Sequence, residues 1–149
     1  MGPDPGQRPV GEIMVREPAT VGMDVHLWRV RDLMRKGGFQ HVLVEDEDGK
    51  LVGVVSDRDV LAALSPVADN PRVARSTDIA TLEKRVHQVM GRNLLAIAPE
   101  VTVAEAGRLL LDRGFHSLPV VDGGHCVGIV TTTDLLRAFV EDAPAAAAA

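Results

Sequence analysis

The sequence contains one unit of about sixty residues that occurs twice, and this repeat limits the folds that the chain can adopt. Met14 and Met90 lie 76 positions apart, and the same separation relates Phe39 to Phe115. It also relates Asp24 to Glu100, Val25 to Val101, Gly38 to Gly114, and Val44 to Val120. After the hairpin turn of each copy the separation is 75 positions, as between Gly53 and Gly128. A repeat of this kind predicts two copies of one supersecondary unit.

Each copy carries the hydrophobic pattern of a small α/β unit. Apolar residues at helical spacing from Leu27 to Met34 predict an amphipathic helix that ends at Gly37-Gly38. In the second copy, Thr102 and Glu105 predict a capping box at the start of the matching helix. Two apolar runs that flank a glycine-containing turn then predict a β-hairpin, and a second helix follows it. The predicted order in each copy is therefore β-α-β-β-α.

We predict a mixed α/β (α+β) fold in which the two repeats pack with pseudo-two-fold symmetry. A unit of about sixty residues buries only part of its apolar surface, so the copies should cover each other's exposed faces. The predicted segments are a disordered start (1–9), repeat one (10–66), a connector with the start of a helix (67–84), repeat two (85–142) and a disordered Ala-rich tail (143–149). Apolar spacing predicts that the connector's helix runs from Asp78 to Val89.

Composition excludes several functional classes. The net charge of −5, the 3% of aromatic residues and the lack of tyrosine are unlike a nucleic-acid-binding protein. Cys126 is the sole cysteine, so no intrachain disulfide can form, and a buried inert thiol is its simplest interpretation. No apolar run approaches the length that spans a membrane, and the Pro/Gly-rich start has no apolar core typical of a signal peptide. We expect a cytoplasmic protein.

The repeat places a hydroxyl residue and an aspartate at the same strand-to-helix corner of both copies. The two corners are Ser56-x-x-Asp59 and Thr131-x-x-Asp134, and each follows a strand that contains a glycine. Such a pair is a capping signature, because each side chain can bond a backbone N–H at the helix start. The same pair can instead face outward and hold a ligand's paired hydroxyls. Because the corner occurs twice, we favour ligand binding at one corner or both, with a slight preference for Asp134.

These residues resemble a tandem pair of cystathionine-β-synthase-type (CBS) domains, the arrangement called a Bateman module. The resemblance extends from Val10 to about Phe139. It is carried by Ile13-Met14 and Val89-Met90, the Gly-Phe step before each hairpin, the strand Leu118-Pro119-Val120-Val121, and both corners. The resemblance implies a stand-alone, non-catalytic sensor that binds an adenosine-containing small molecule such as AMP, ADP or ATP in the clefts between the repeats, with no required cofactor. It also implies a homodimer.

The resemblance assigns a role to residues of both copies. Asp59 and Asp134 would hold the ribose hydroxyls, while Ser56 and Thr131 would contact ribose or phosphate. Backbone groups around Thr20, Val21, Ile97 and Ala98 would meet the adenine edge. His41, His116, Arg58 and Thr133 would face the phosphates. The sequence departs from the family's pattern here, because each hairpin entry offers a single histidine and Leu43 stands where the second copy has Pro119. Phosphate binding would then be weaker, or supplied by Arg58, Arg35, Lys36 or Arg113.

Other interpretations stay open. The two histidines of the hairpin entries are equally consistent with half-exposed strand ends that contact no ligand. The chain is also consistent with a dimeric structural module that binds another protein, or with a binder of NAD(H) or S-adenosylmethionine. An enzyme acting on nucleotides is the weakest hypothesis, because the sequence shows no nucleophile-base pair, no Walker-type glycine loop and no carboxylate cluster for magnesium. The remaining histidines show no spacing of a metal site. We therefore predict no catalytic and no metal-binding residues.

Overall fold

The computed structural model describes residues 4–92 and 94–142, and these fall into two compact units. The first-repeat unit spans Pro18–Leu94, and the second-repeat unit combines residues 4–17 with residues 95–142. The strands and helices are β1 (Val15–Arg16), β2 (Thr20–Gly22), α1 (Leu27–Gly37), β3 (His41–Glu45), β4 (Leu51–Ser56), α2 (Asp57–Ala63), α3 (Ser76–Ala80), α4 (Val103–Arg113), β5 (Ser117–Asp122), β6 (His125–Thr131) and α5 (Thr132–Asp142). Short 3-10 helices cover Pro5–Gln7, Val10–Glu12, Thr81–Glu83 and Val86–Gln88.

The first-repeat unit confirms the predicted order of elements. Strand β2 pairs in parallel with β3, and β3 pairs with β4 in an antiparallel hairpin. Helix α1 packs its apolar face on this sheet and ends at Gly38, whose φ of 69° is the left-handed conformation that favours glycine. The core is made by buried aliphatic residues of both layers, among them Val30, Val42, Val55 and Met90.

The second-repeat unit has the same order of elements, except that its first strand is shortened to a single bridge. Its hairpin β5–β6 is antiparallel, and helices α4 and α5 follow the predicted positions. The predicted first strand is a single parallel bridge between Ile97 and Val120, while β1 extends the sheet on the other side by pairing with β6. The capping box of Thr102 and Glu105 is confirmed at the start of α4. A fold of mixed α/β type with two repeats is therefore confirmed.

The segment before the first strand of each repeat packs in the unit of the other repeat. We call residues 8–14 the first lead-in segment and residues 84–90 the second lead-in segment. The first bonds to the start of the second repeat, and the second bonds to the start of the first repeat, through backbone bonds whose partners differ by 76 positions. The matching bonds are Val10 N–H to Val101 O and Val86 N–H to Val25 O, both 2.8 Å, and Val103 N–H to Arg8 O at 2.8 Å and Leu27 N–H to Lys84 O at 2.7 Å.

Two glycine–methionine contacts show that the lead-in segments are exchanged between the repeats in this way. A Cβ at Gly53 would lie 2.3 Å from Met90 Sδ, and a Cβ at Gly128 would lie 2.4 Å from Met14 Sδ. Only glycine lets each methionine side chain lie against the strand. The glycine in the strand before each corner therefore contacts the methionine at the end of one lead-in segment. This contact occurs once in each unit.

The structure differs from the predicted connector helix. The predicted helix from Asp78 to Val89 is interrupted at Lys84 and Arg85, which are extended. The interruption arises because the Lys84 carbonyl accepts a bond from Leu27 and Val86 donates to Val25, so pairing with the first repeat replaces helical bonds.

Part of the chain start, for which we expected disorder, has defined structure. Pro5–Gln7 form a 3-10 helix that is capped by Asp4, and Gly6 is buried next to Ala104 and Phe139. The small Gly6 fits there because a Cβ would come within 3.4 Å of Ala104 Cβ. Residues 1–3 and the Ala-rich tail at 143–149 lie outside the described residues, so disorder stays a prediction for them.

Candidate functional site

The first corner joins β4 to α2 as a full capping box. The Ser56 N–H donates to Asp59 Oδ2 at 2.8 Å, and the Asp59 N–H donates to Ser56 Oγ at 3.1 Å. Both bonds therefore hold one carboxylate oxygen and the hydroxyl in fixed positions. Among the described residues, Asp59 Oδ1 has no hydrogen-bond partner, and the side chain is only partly buried. The capping interpretation accordingly accounts for one oxygen and leaves the other for a ligand.

The second corner has the same cap and one additional constraint. Thr131 N–H and Thr131 Oγ1 donate to Asp134 Oδ2 at 2.8 and 2.9 Å, and the Asp134 N–H donates to Thr131 Oγ1 at 3.3 Å. Asp134 is 7% exposed, and Arg137 places a guanidinium nitrogen 3.6 Å from Oδ1. The outer oxygen of Asp134 therefore has a cationic neighbour that Asp59 lacks among the described residues.

The hairpin entries lie next to the corners. His41 is the register partner of Ser56, and the Asp57 N–H donates to the Gln40 carbonyl at 2.9 Å. In the other unit, Ser117 is the register partner of Thr131, and the Thr132 N–H donates to the His116 carbonyl at 3.2 Å. The structure thus brings each predicted phosphate-side histidine to the predicted ribose corner of its own unit. Arg58 and Thr133 are exposed one residue before their aspartates.

The predicted adenine-edge segments differ between the units. Thr20 and Val21 belong to β2, which is an edge strand of its sheet and pairs only with β3 there. Ile97 is buried, its N–H donates to the Pro119 carbonyl and its carbonyl accepts from Val121. The Ala98 carbonyl accepts from Val101. The first unit has the matching bond, because the Gly22 carbonyl accepts from the Val25 N–H at 3.4 Å.

A cavity of about 360 Å³ adjoins the first corner. It is lined by Asp59, Ala62 and Ala63 of α2 and by Lys84, Gln88 and Val89 of the second lead-in segment. Sequence reasoning missed Lys84 and Gln88, because it assigned them to the connector and the start of repeat two. Their signal in the sequence is the 76-residue offset, which relates them to Arg8 and Glu12.

A larger cavity of about 710 Å³ lies at the other end of the first-repeat sheet. Its lining includes Met23, Arg29 and His87 together with the acidic run Glu45–Asp48 of the hairpin turn. None of the predicted site residues contributes to it. Because four adjacent carboxylates repel phosphate groups, this cavity is the poorer candidate for a nucleotide despite its size.

Two further observations bear on the chemistry of the described residues. No three histidine, cysteine, aspartate or glutamate side chains of residues 4–92 and 94–142 converge in a way that would hold a metal ion.

The pKa of Asp78 lies below its usual value because Ser65 Oγ donates to the carboxylate at 2.6 Å, and Arg75 N–H donates at 2.8 Å. These bonds organise the connector and lie outside both corners.

Across the same described ranges, every helix is too short or too polar to cross a bilayer.

Relatives in sequence support the repeated architecture. An uncharacterized protein of Methanocaldococcus jannaschii is 29% identical over 157 aligned positions, which cover 87% of this chain and 94% of the relative. The relatives also include an inosine-5'-monophosphate dehydrogenase of Bifidobacterium longum, 31% identical, in which the match covers 83% of this chain and only 21% of the enzyme. Similar sequence therefore occurs both as a whole small protein and as part of an enzyme.

Solved structures resemble this chain over most of its length. The structure of CBSX2 in complex with AMP is 30% identical, has a TM-score of 0.69, and matches 90% of this chain and 97% of that one. The cytosolic domain of the Mg²⁺ channel MgtE in complex with ATP is 28% identical, has a TM-score of 0.65, and matches 88% of this chain and 48% of that one. The family model of the CBS domain matches residues 10–66 and again residues 86–141. The chain therefore belongs to the CBS domain family and contains two copies of the domain.

Proposed function

We propose that the chain is a non-catalytic regulatory module that binds an adenosine-containing ligand at its hydroxyl-aspartate corners. The observation that carries the proposal is the corner itself, in which the cap fixes Asp59 Oδ2 and leaves Oδ1 without a partner among the described residues. The AMP and ATP complexes of two similar structures support this choice of ligand class. AMP, ADP and ATP are the proposed ligands, and NAD(H) and S-adenosylmethionine are the alternatives.

The corner suits a ribose for a simple chemical reason. A carboxylate accepts hydrogen bonds, and a ribose presents two adjacent hydroxyl donors. Hydrogen bonds to a charged group contribute about 1.5–3 kcal/mol, so loss of one aspartate should weaken binding roughly ten- to a hundredfold. Under the family resemblance, the phosphate would lie at the hairpin entry beside the same corner, near His41 in one unit and His116 in the other.

Calorimetric titration of AMP, ADP, ATP, NADH and S-adenosylmethionine tests the proposal. Wild type is compared with Asp59→Ala and Asp134→Ala, and Glu105→Ala serves as the control. Glu105 belongs to a capping box of the same type at the start of α4, so its loss removes a cap without touching either corner. We expect a weaker titration for at least one aspartate variant and an unchanged one for Glu105→Ala. Absence of binding of all five compounds to wild type at millimolar concentration would refute the proposal.

A second candidate function is a protein-interaction module, and exposed apolar side chains favour it. Helix α5 exposes Leu136 at 61% and Val140 at 66%, and α2 exposes Leu61 at 73%. Apolar residues exposed together on a helix are typical of surfaces that another chain covers. We propose that a second copy of this chain covers them, which makes the module a homodimer in the cytoplasm. Sedimentation of wild type and Leu136→Glu tests this, because the charged variant should shift the chain toward monomer.

A further inference from the structure

We infer that the two corners differ in the charge of the ligand that they accept: the Asp59 cavity accepts a phosphate-bearing adenosine ligand through Lys84, and the Asp134 corner disfavours phosphate. The inference rests on the proposed function and adds to it the ligand's charge and the residues that select it. It is carried by three positions at which the otherwise matching surroundings of the corners differ.

The surroundings can be compared position by position because the lead-in segments are bonded identically. The carbonyl of Lys84 accepts from Leu27, and the carbonyl of Arg8 accepts from Val103. Each acceptor and each donor is separated from its counterpart by 76 positions. Arg8 therefore occupies the place of Lys84, and Glu12 occupies the place of Gln88.

The first two differences concern charge. In the first-repeat unit, Lys84 Nζ donates to the Ala63 carbonyl at 3.2 Å, and no carboxylate among the described residues lies within ion-pair distance of it. Its neighbour Gln88 is neutral and accepts a bond from the Arg85 N–H at 2.8 Å. In the second-repeat unit, Arg8 Nε lies 3.2 Å from Glu12 Oε2. The charge of Lys84 is thus not neutralised by a carboxylate of the described residues, whereas Arg8 is already paired with Glu12.

The third difference concerns space. Ala62 lines the cavity beside Asp59, and the matching position in the other copy, 75 residues later, is Arg137. Arg137 lies 3.6 Å from Asp134 Oδ1 and 4.0 Å from Glu141. Alanine leaves the Asp59 carboxylate open to the cavity, whereas arginine stands beside the oxygen that a ribose would need. A cavity of about 360 Å³ is within the range of small-molecule sites.

The open cavity therefore combines an acceptor and a cation. Asp59 Oδ1 is suited to sugar hydroxyls, and the Lys84 ammonium has donors left for phosphate oxygens. At the other corner, Arg8 already pairs with Glu12 and Arg137 with Asp134, so a phosphate would have to compete with these carboxylates for the guanidinium groups. We expect one phosphate-bearing ligand per chain, bound beside Asp59.

Titrations with ADP and with adenosine test the inference, because the two differ only in the phosphates. Wild type should bind ADP more tightly than adenosine. Lys84→Met should weaken ADP binding roughly ten- to a hundredfold and leave adenosine binding unchanged, while Lys84→Arg should retain ADP binding. Gln88→Glu should also weaken ADP binding, because it introduces the carboxylate found at the other corner. Lys50→Met is the matched control, since Lys50 is an exposed lysine in the turn between β3 and β4 and does not line the cavity.

The outcomes separate the inference from the proposed function. ADP binding that survives both Lys84→Met and Gln88→Glu overturns the inference and leaves the proposed function standing. ADP binding that is lost with Asp134→Ala and kept with Asp59→Ala overturns it as well. If neither ADP nor adenosine binds to wild type, the inference fails, and the titrations with AMP, ATP, NADH and S-adenosylmethionine then decide on the proposed function. Circular dichroism of each variant identifies any that fails to fold. If Lys84→Met does not fold, the ADP titration of Gln88→Glu decides the inference in its place.

Discussion

The exchange of the lead-in segments makes a quantitative prediction for Gly53→Ala. The new Cβ would lie 2.3 Å from Met90 Sδ, 2.8 Å from Met90 Cγ and 3.2 Å from the Gly91 carbonyl oxygen. Carbon atoms in contact normally lie about 3.5–4.0 Å apart, so Met90 must move. Met90 is 7% exposed and packed among core residues, which leaves it little room. Overpacking of this kind costs about 1–3 kcal/mol of unfolding free energy.

A second substitution shows whether the cost comes from this contact. Met90→Ala alone should cost about 2–5 kcal/mol, because it leaves a cavity in the core. In the double variant the alanine Cβ occupies part of that cavity, so the two costs should not add. The coupling free energy should be about 1–2 kcal/mol in favour of the double variant. Urea denaturation followed by circular dichroism at 222 nm measures all four proteins of the cycle.

The control combines Gly53→Ala with a substitution at Met14 instead of Met90. Met14 contacts Gly128, whereas Gly53 contacts Met90. Gly53→Ala combined with Met14→Ala should therefore be additive within about 0.5 kcal/mol. Coupling of Gly53 with Met14, and none with Met90, would show that each lead-in segment packs on the repeat that follows it, and the exchanged arrangement described above would be refuted.

Three further predictions follow from single contacts. Glu105→Ala should lower the unfolding free energy by about 1 kcal/mol through loss of the α4 cap, measured by urea denaturation. Because the pKa of Asp78 is lowered in the folded state, its stabilisation is present above the unfolded pKa and is lost as pH falls through the folded pKa. The stability difference between wild type and Asp78→Asn should accordingly shrink in acid, as urea midpoints at pH 6 and about pH 3 will show. Leu136→Glu should reduce the sedimentation coefficient if α5 packs on a second copy.

Local patterns in the sequence were sufficient to predict most elements. The helical spacing before Gly38, the capping box at Thr102 and both corners depend on residues within a few positions of one another, and the structure confirms all of these elements. Local spacing also gave the hairpins β3–β4 and β5–β6. Features set by neighbouring residues are therefore readable from one sequence.

Features that depend on distant partners were not readable. Lys84 and Arg85 stand within a helical pattern and are extended because the Lys84 carbonyl accepts from Leu27 and the Val86 N–H donates to Val25. Nothing in either lead-in segment specifies its docking partner, because both end in methionine and both repeats offer a glycine to receive it. Lys84 and Gln88 of the cavity beside Asp59 were missed for the same reason, since they belong to segments assigned to the connector and to the other repeat.

The exchange also changes how the two corners are ranked. When only the residues of each corner are compared, the Asp134 carboxylate is held by one more hydrogen bond. Thr131 Oγ1 donates to it, whereas Ser56 Oγ shows no such bond to Asp59. Lys84 and Gln88, which line the cavity beside Asp59, however, belong to the second lead-in segment. A change in residues 84–88 alters the surroundings of Asp59 although this segment directly precedes the second repeat. Two corners with the same hydroxyl-x-x-Asp motif can thus serve ligands of different charge, because residues around the motif differ.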